Sequence, residues 1–461
     1  MYNKTYFKNK DVLVLGLAVS GFSAAKVLKE LGARVTVNDF KSLKGDPAAL
    51  ELQKMDIQVV SGGHPLELLD QPVDLIVKNP GIPYSNPLLA EAANRGIPII
   101  TDVEIADSIS QSMIIAITGT NGKTTTTRMI ESLLASEQLP GEVYSVGNIG
   151  QPAAEVAVSS RPEDKLVMEV SSFQLMGTRH FKPSIAVITN IHSAHLDYHG
   201  SRKEYVDAKL NITRNQTSED YLIYNHDQLE LTELVIRESK AQLLPFSRKD
   251  ELNQGVYLKD SIIYFDKERI MDSSDIVLPG KHNLENALAA IAVAKLNGIS
   301  NAHIENIFRH FQGVEHRMQF VGGINGRRFY NDSKATNTLA TINALEGFEK
   351  KVILLAGGLD RGTDFNDLVP ALRKHVKQLF TFGETAETLC QTGKEADVAV
   401  CVNTQTLEKA VRTAYASSSP GDVLLLSPAC ASWDAYKNFE ARGQDFIEAV
   451  THLEANENKG E

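Results

Sequence analysis

A turn rich in glycine and threonine carries the clearest chemical signal of the chain. Residues 119–125 (GTNGKTT) follow the apolar, β-branched run Met113–Ile117, which predicts a buried strand. Such a turn between a strand and a helix presents backbone N–H groups and a helix N-terminus to anionic oxygen atoms. Lys123 adds a positive charge, and the Thr124 hydroxyl is a ligand type for Mg²⁺. Ile117 stands where the general phosphate-loop pattern has its first glycine, so this is a short form of the loop. It predicts ATP binding.

Acidic and imidazole side chains follow two further apolar runs. Glu169 lies near the end of the predicted strand Leu166–Val170. A carboxylate at a strand end beside a phosphate loop would hold Mg²⁺ directly or through water, although an ordinary exposed charge is the alternative. His192 and His195 follow the predicted strand Ile185–Thr189, and either imidazole could bind a metal. Their spacing does not decide between them.

Two glycine-containing turns follow predicted strands near the N-terminus. Gly16, Ala18 and Gly21 imitate the glycine pattern of dinucleotide-binding sites, and Asp39 lies about 20 residues further on, where such sites have an acid for a ribose hydroxyl. Because Ala18 replaces the glycine that lets the backbone approach a pyrophosphate, a turn that binds nothing is an equal alternative. A second turn, residues 78–83 (KNPGIP), follows a later predicted strand. Together the two turns favour a nucleotide-like ligand at this sheet edge.

Two motifs in the last third of the chain combine small, polar and basic residues after predicted strands. Residues 332–337 (DSKATN) are expected to open a helix, with their Asp, Ser and Thr side chains as caps. Lys334 and the helix N-terminus would then bind an anion, while capping alone is the alternative. Residues 427–433 (SPACASW) provide small residues that allow close backbone approach, and Ser432 could hydrogen-bond a ligand.

The elements that must position these groups alternate short apolar runs with helical patterns, which indicates the α/β class with parallel sheets. Three blocks, and therefore three domains, are predicted from the length and this alternation. Their expected bounds are 1–106, 107–313 and 314–461. Lys209 lies on a predicted helix of the second block, where composition alone predicts an exposed lysine.

Composition excludes several classes of protein. Hydrophobic residues make up 43% of the 461 residues and charged residues 23%, as in ordinary soluble globular proteins. The net charge of −11 disfavours nucleic acid as a partner. Cys390, Cys401 and Cys430 lack the spacing of a zinc site. No apolar stretch predicts membrane insertion or a signal peptide, so a cytoplasmic location is expected.

Several motifs together resemble the Mur ligase family, ATP-dependent enzymes that form amide bonds in bacterial cell-wall synthesis. The resemblance covers all three blocks. Its motifs in the second block and at the start of the third are TGTNGKTT (118–125), EVSS (169–172), the His195 loop, HNLEN (282–286) and HR (316–317). The segments NDSKATN (331–337), SPACASW (427–433) and KNFEARG (437–443) resemble members that add D-glutamate to UDP-N-acetylmuramoyl-L-alanine. The implied fold has an N-terminal Rossmann-like domain for the UDP-substrate, a central P-loop ATPase-like parallel sheet for ATP, and a C-terminal Rossmann-like domain for D-glutamate.

The resemblance also implies roles for individual residues. The ATP phosphates would contact Gly119, Thr120, Asn121, Gly122, Lys123, Thr124 and Thr125, and the rest of the nucleotide would contact Asn283, Asn286, Arg317 and Asp332. The UDP-substrate would contact Val19, Ser20, Asp39, Gly81 and Asn148. D-Glutamate would be held by Lys334, Thr336, Arg361, Ser432 and Phe439. Arg361 and Trp433 depart from the pattern, since some members have lysine at the first position and an aliphatic residue can occupy the second.

The implied reaction uses ATP and two Mg²⁺ ions to activate a carboxylate as an acyl phosphate. Lys123, Glu169, His195 and Lys209 would be the catalytic residues, and the metal ligands would be Thr124, Glu169, His195 and Lys209 as a carbamate. A monomer is expected. The alternatives are another Mur-type or folylpolyglutamate-type ligase, a P-loop regulatory ATPase and a nicotinamide dehydrogenase. Ala18 disfavours the dehydrogenase, and a regulatory ATPase leaves the two C-terminal motifs without a role.

Overall fold

The computed structural model describes residues 4–136, 139–192, 196–362 and 364–457. Strands and helices alternate through three sheets, which confirms the α/β class. The chain divides into two compact units, the first formed by Met1–Ser273 and Glu285–Ile307 and the second by Ser274–Leu284 and Phe308–Glu461. None of the helices in the described ranges combines the length and apolar character needed to cross a membrane.

The first sheet is entirely parallel, with strand order β3-β2-β1-β4-β5. Its strands are β1 (Asp11–Leu15), β2 (Arg34–Asp39), β3 (Gln58–Ser61), β4 (Leu75–Lys78) and β5 (Ile99–Ile100). Its helices are α1 (Val19–Glu30), α2 (Pro47–Lys54), α3 (Pro87–Asn94) and α4 (Asp102–Ile109). Gly21 lies in the first turn of α1, where a Cβ atom would come within 1.9 Å of the carbonyl oxygen of Gly16. Glycine therefore lets α1 start directly against the turn that follows β1.

The second sheet has nine strands in the order β14-β13-β12-β11-β10-β9-β6-β8-β7. They are β6 (Met113–Thr118), β7 (Val143–Gly147), β8 (Lys165–Glu169), β9 (Ile185–Ile188), β10 (Tyr221–Asn225), β11 (Gln242–Ser247), β12 (Val256–Lys259), β13 (Ile262–Phe265) and β14 (Glu268–Asp272). The helices that follow in the chain are α5 (Lys123–Leu134), α6 (Ala153–Ser159), α7 (Ser172–Leu175), α8 (Leu196–His199), α9 (Arg202–Leu210), α10 (Leu229–Glu238), α11 (Lys281–Leu296) and α12 (Asn301–His310). Strand β8 pairs directly with β6, so the strand ends that carry Glu169 and the phosphate loop are neighbours.

One apolar core joins the first two sheets. Helix α6 packs against α1 and α4, and the buried cluster runs from Val14 and Leu28 of the first sheet region to Ala116 and Met168 of the second. Burial of apolar surface is the main source of folding free energy, so these two sheets are stabilised by a shared core.

The third sheet has the order β15-β16-β20-β17-β18-β19, and β15 is its antiparallel member. Its strands are β15 (Gln319–Ile324), β16 (Arg327–Asn331), β17 (Val352–Gly357), β18 (Val376–Phe382), β19 (Val400–Gln405) and β20 (Val423–Leu426). Its helices are α13 (Thr338–Glu346), α14 (Val369–His375), α15 (Ala386–Glu395), α16 (Leu407–Ser417) and α17 (Phe439–Glu457). Helices α13 to α15 contribute to one apolar cluster of the sheet, and α16 and α17 to the other.

The connections around β20 therefore leave toward opposite faces of the third sheet. The loops after β16 and β17 lead to helices on one face, and the loop after β20 leads to α17 on the other. In open α/β sheets, ligands bind at the carboxyl ends of the strands where the connections diverge in this way. The two C-terminal motifs of the sequence lie in these loops.

Three tight hairpins add antiparallel strands that the parallel pattern does not predict. Their two-residue loops are Asp260–Ser261, Asp266–Lys267 and Asn325–Gly326, and both residues of each loop have positive φ. Two positive φ angles are the mark of type I′ turns, which match the twist of the flanking strands. The Asn-Gly pair is a strong hairpin signal, so the antiparallel strand β15 and its pairing with β16 could have been predicted from the sequence.

The helix expected to open at 332–337 begins later. Helix α13 starts at Thr338, and Asn337 is its cap because its side chain accepts a hydrogen bond from the Ala340 N–H. Asp332 instead accepts hydrogen bonds from the Met318 N–H and the Ser427 hydroxyl. The prediction that Asp, Ser and Thr side chains cap this helix is therefore wrong, because these residues precede α13 in a loop where tertiary hydrogen bonds hold Asp332 and Ser333.

Candidate active site

The phosphate loop lies at the carboxyl end of β6 and leads into α5. Gly119 has φ +152°, and a Cβ atom there would come within 1.9 Å of the Thr189 hydroxyl. Gly122 has φ +81°, and its Cβ would come within 2.2 Å of Oδ1 of Asn286 on α11. Both positions therefore need glycine for conformation and for space. The close approach also places Asn286, a predicted nucleotide contact, directly beside the loop.

Residues after β9 hold the loop from its other side. The Thr120 N–H donates to the Asn190 carbonyl (2.9 Å), and the Asn121 N–H donates to the Asn190 side chain (2.9 Å). The Thr189 hydroxyl donates to the Asn121 carbonyl at 2.6 Å. The Thr120 hydroxyl lies 3.0 Å from that of Tyr205 on α9. These bonds fix the loop conformation, so the loop loses little conformational entropy when a ligand binds.

Glu169 ends β8 beside the loop and is 1% exposed. Its Oε1 accepts a 2.8 Å hydrogen bond from Nδ2 of Asn148, and the Asn148 N–H also donates to the Glu169 carbonyl. Its Oε2 is buried and has no hydrogen-bond partner among the described residues. A buried carboxylate oxygen without a donor is costly unless a cation takes that place, so this atom fits a Mg²⁺ ligand.

The rest of the donor set also fits Mg²⁺. Within the described residues, no group of three or more His, Cys, Asp or Glu side chains could form a metal cage. Mg²⁺ does not require one, because it binds through one or two carboxylates together with water and substrate phosphates. Thr124, the second residue of α5, is buried and presents a hydroxyl in the first helical turn.

Two lysines converge on one carbonyl oxygen of the loop. Lys123 Nζ donates to the carbonyl oxygens of Gly119 (2.9 Å) and Thr120 (3.0 Å), and Lys209 Nζ donates to that of Gly119 (2.7 Å). Lys209 is 1% exposed and lies over the Tyr205 ring at 4.8 Å. Burial and the charge of Lys123 hold the pKa of Lys209 well below its ordinary value, while Glu169 acts in the opposite direction. The prediction of an exposed lysine from composition is therefore wrong.

The two candidate histidines differ in whether the structure describes them. His195 lies outside the described residues. His192 is exposed; its N–H donates to the Thr120 hydroxyl, and its ring lies 3.3 Å from the side-chain nitrogen of Gln228. Asn283, in the first turn of α11, donates from its side chain to the Pro279 carbonyl at 2.7 Å.

The two N-terminal turns lie side by side at the carboxyl edge of the first sheet. Asp39 accepts from the Leu17 N–H at 2.7 Å, so its carboxylate closes the turn after β1. Asn79 donates to the Ser20 hydroxyl (3.3 Å) and accepts from the Gly81 N–H (3.1 Å), so its side chain joins the two turns. Val19, the first residue of α1, is 74% exposed. Four of the predicted substrate residues therefore lie at the carboxyl edge of the first sheet, namely Val19, Ser20, Asp39 and Gly81. The fifth, Asn148, instead forms a hydrogen bond with Glu169.

The described C-terminal unit has its own polar cluster around Asp332. Asp332 Oδ1 accepts from the Met318 N–H (3.2 Å) and Oδ2 from the Ser427 hydroxyl (3.0 Å). Burial raises the pKa of Asp332 to about 7, against these bonds and the charge of Arg317. Nε of Arg317 is buried and has no hydrogen-bond partner within the described residues. Arg317 and Asp332 thus place an N–H donor without an acceptor near a buried carboxyl group.

Cationic and aromatic side chains surround the same strand ends. Lys334 lies over the Phe439 ring at 5.0 Å, and Arg361 lies over the Trp433 ring at 5.0 Å. Ser432, which precedes the tryptophan, is buried. Thr336 is half-buried in the loop before α13. All the predicted D-glutamate residues therefore belong to loops or element starts around β16, β17 and β20.

Sequence comparison decides the family. A model described as "Mur ligase MurD-like, N-terminal domain" matches residues 10–101, "Mur ligase middle domain" matches 117–294, and "Mur ligase, glutamate ligase domain" matches 316–430. The UDP-N-acetylmuramoylalanine--D-glutamate ligase of Enterococcus faecalis is 56% identical over 98% of this chain and 99% of its own. The ligase of the same name from Enterococcus hirae is 54% identical over 98% of both chains. The chain belongs to the Mur ligase family.

Solved structures of other Mur ligases share the fold. UDP-N-acetylmuramate-alanine ligase from Thermotoga maritima has a TM-score of 0.56 at 20% identity and covers 96% of this chain and 99% of its own. The MurF ligase of the same organism, solved with ADP, has a TM-score of 0.55 at 16% identity and covers 97% of this chain and 96% of its own. At this identity the likeness concerns the fold alone.

This Mur ligase has a buried cation that sequence reasoning missed. Arg442, at the start of α17, is fully buried, and burial lowers its pKa to about 10. Its guanidinium donates to the hydroxyl and carbonyl of Ser333 and to the carbonyls of Gly357, Cys430 and Ala431. It thus ties together the loops after β16, β17 and β20. The sequence offered one signal for Arg442, its position in the KNFEARG segment. Only the fold shows which loops its guanidinium joins.

Lys78, the first residue of the turn 78–83, is buried like Lys209, and sequence reasoning did not predict its burial. It ends β4, is 1% exposed, and donates to the carbonyls of Asn79 (3.3 Å) and Pro80 (3.1 Å) and to the Tyr198 hydroxyl (3.4 Å). Burial lowers its pKa to about 8, while Asp102 opposes the shift. The Tyr198 hydroxyl itself donates to Pro80 at 3.0 Å. In this Mur ligase the 78–83 turn is therefore anchored to α8, in the region between β9 and α9.

Proposed function

We propose that this Mur ligase joins D-glutamate to UDP-N-acetylmuramoyl-L-alanine at the expense of ATP, as a step in peptidoglycan precursor synthesis. The observation that carries the proposal is identity above 50%, over nearly the full length of both chains, to ligases that bear this name. The aligned region covers 98% of the chain, so it spans all three sheets and not only the ATP loop.

The chemistry requires activation of a carboxylate in water. The alanyl carboxylate of the acceptor attacks the γ-phosphorus of ATP, an O–P bond forms, the bond to ADP breaks, and an acyl phosphate results. The amine of D-glutamate then attacks the acyl carbon, loses a proton and displaces phosphate. The backbone N–H groups of residues 119–125 and Lys123 would bind the phosphates and offset the repulsion between two anions.

The residues around Glu169 fit a metal site. We assign Thr124, Glu169, His195 and Lys209 as the groups that hold two Mg²⁺ ions. Bound Mg²⁺ would neutralise charge on the phosphates during transfer. The orphaned Oε2 of Glu169 supports the assignment, because a cation there removes the cost of an unpaired buried oxygen.

Lys209 would act as a carbamate. Burial lowers the pKa of Lys209, which favours the neutral amine, and a neutral amine attacks CO₂ to form an N–C bond with release of one proton. The product is an anion. Lys209 Nζ now lies 2.7 Å from the Gly119 carbonyl oxygen, which attracts an ammonium group but repels a carbamate oxygen. We therefore expect the Lys209 head group to turn from Gly119 toward the metal once it is carbamylated.

The remaining assignments divide between the three blocks. Residues 1–106 would bind the UDP-substrate through Val19, Ser20, Asp39, Gly81 and Asn148. Residues 107–313 would bind ATP, with further nucleotide contacts from Asn283, Asn286, Arg317 and Asp332. Residues 314–461 would bind D-glutamate through Lys334, Thr336, Arg361, Ser432 and Phe439. We further propose that the enzyme acts as a monomer in the cytoplasm.

Substrate dependence of ADP release tests the proposal against a regulatory P-loop ATPase. ADP formation is measured with ATP and Mg²⁺ alone, with the acceptor added, and with the acceptor and D-glutamate. The proposal expects sustained turnover only in the complete mixture, because without the amine the acyl phosphate is not consumed. Rapid ATP hydrolysis without the acceptor would instead support a regulatory ATPase.

A further inference from the structure

Trp433 is an exposed aromatic residue in the loop that follows β20 of the third sheet. It is the only tryptophan of the chain and is 63% exposed, although it directly follows the buried Ser432. A single exposed apolar side chain is common at protein surfaces, so the contact that Trp433 makes is more informative than its exposure. Its partner in the structure is a cation.

The guanidinium of Arg361 lies 5.0 Å from the centre of the Trp433 ring. Throughout the described ranges, Arg361 forms no ion pair with a carboxylate, whereas Arg373 and Arg412 of the same unit do. A guanidinium over an aromatic face keeps its N–H donors available at its edges, and these match the two oxygens of a carboxylate. Arg361 is therefore held in place without its charge being neutralised.

The backbone that carries the two residues is well fixed. The loop of Arg361 follows β17 and that of Trp433 follows β20, and these strands pair through Leu355 and Leu426. The Leu359 N–H donates to the Ala431 carbonyl at 2.9 Å, and the buried guanidinium of Arg442 binds both loops. The two loops thus form one frame at the edge where this sheet topology binds ligands.

We propose that Trp433 is a positioning residue, whose indole face orients Arg361 to bind a carboxylate of the incoming amino acid. The inference deepens the proposed function and rests on it. Trp433 itself need not touch the substrate; it restricts the rotamers of a long side chain, so less freedom is lost when the carboxylate binds. The proposal predicts an effect on amino-acid affinity and none on ATP or the acceptor.

The test is a double-mutant cycle on the purified enzyme. The variants W433L, W433F, R361L and R361L/W433L are compared with wild type by kcat and by KM for D-glutamate, ATP and acceptor. A cation–π contact at an exposed site is worth about 0.5–1 kcal/mol, so W433L should raise the KM for D-glutamate by about 2- to 5-fold. The KM values for ATP and acceptor should stay unchanged, and W433F should restore part of the loss. In the R361L background, W433L should add nothing.

A matched control separates positioning from general stability. L229A removes another exposed apolar side chain, 72% exposed on α10, and should leave all constants unchanged. Because the chain has a single tryptophan, the tryptophan fluorescence of the wild type should also change on saturation with D-glutamate, and R361L should abolish that change.

The outcomes are distinguishable from failure of the proposed function. If wild type transfers D-glutamate and W433L keeps the same KM for it, the inference is overturned while the proposed function stands. An equal additional loss from W433L in the R361L background, or equal rises in all three KM values, would also overturn it. If wild type does not transfer D-glutamate, the proposed function itself fails.

Discussion

Asn148 and Glu169 form a pair in which one carboxylate oxygen is occupied and the other is left open. Asn148 donates to Oε1 at 2.8 Å, while Oε2 is buried without a partner in the described part of the chain. Gly147 allows this approach, because a Cβ there would come within 2.5 Å of the Glu169 carbonyl oxygen. The asparagine thus fixes the orientation of the carboxylate at the end of β8, which pairs with the strand that leads into the phosphate loop.

The first prediction follows from that orientation. E169Q keeps the shape but removes the charge, so activity should fall about 100-fold or more, and N148A should fall about 10- to 100-fold with a higher Mg²⁺ requirement. Initial rates over a Mg²⁺ titration measure both effects. Removal of an unpaired buried charge should also leave E169Q at least as resistant to thermal unfolding as wild type. A normal Mg²⁺ requirement in N148A would contradict the orienting role.

The second prediction concerns Lys209. K209A should lose about 100-fold or more in activity, because a metal ligand is removed. A short carboxylic acid such as acetate or formate supplies a carboxylate to the vacated space, so it should restore part of the rate in a saturable manner. The wild type serves as control and should not respond to the acid. Full activity of the unsupplemented variant would refute the carbamate.

The third prediction separates backbone strain from steric fit in the phosphate loop. Gly119 (φ +152°) and Gly63 (φ +143°) have similar backbone conformations, but only at Gly119 would a Cβ meet the Thr189 hydroxyl, at 1.9 Å; none lies within 4 Å at Gly63. Both alanine variants should lose about 1–3 kcal/mol of stability from strain. Only G119A should raise the KM for ATP, by about 10-fold or more. Equal ATP affinities in G119A and G63A would show that the loop does not need this close contact.

The fourth prediction is a pH dependence of stability. Burial raises the pKa of Asp332 from 3.8 to about 7, so the folded protein binds this proton more tightly than the unfolded chain. Its contribution to stability is therefore complete below pH ~4, and is lost as the pH rises through ~7. Each unit of pKa difference is worth about 1.4 kcal/mol, so at most about 4 kcal/mol is involved.

The D332N variant isolates this contribution, since asparagine does not titrate. Urea unfolding at several pH values should show wild type losing stability relative to D332N between pH ~5 and ~7, with a constant difference above ~8. S427A removes a hydrogen bond that lowers the pKa, so it should shift the loss to higher pH. A difference between wild type and D332N that is independent of pH would show that Asp332 titrates alike in both states.

The sequence predicted elements best where one local pattern determines the structure. The strand predicted before the phosphate loop is confirmed and extends by one residue to Thr118, and the strand predicted over Ile185–Thr189 ends one residue earlier, at Ile188. An apolar run bounded by turn residues suffices for such strands. The start of α13 was predicted wrongly because several residues of one loop can cap a helix, and tertiary hydrogen bonds recruited Asp332 elsewhere.

The chemistry of buried lysines and arginines could not be predicted from local pattern. Lys209 and Arg442 lie on helices, and their neighbours in the sequence do not indicate burial. Both side chains are nevertheless almost fully buried in the fold. Gly119, which accepts a hydrogen bond from Lys209, is 90 residues away in the chain, and Ser333, which accepts from Arg442, is 109 residues away. Only the resemblance to a family pointed to Lys209, and nothing but the fold identified the role of Arg442.

Transfer of labelled D-glutamate is the most direct test of the proposed reaction. The purified enzyme is incubated with ATP, Mg²⁺, UDP-N-acetylmuramoyl-L-alanine and labelled D-glutamate, and the UDP-linked product is separated and weighed by mass spectrometry. We expect a product that is heavier by one glutamate residue, with one ADP and one phosphate formed per product, and no product when ATP is omitted. Consumption of ATP without incorporation of the label, or incorporation without ATP, would contradict it.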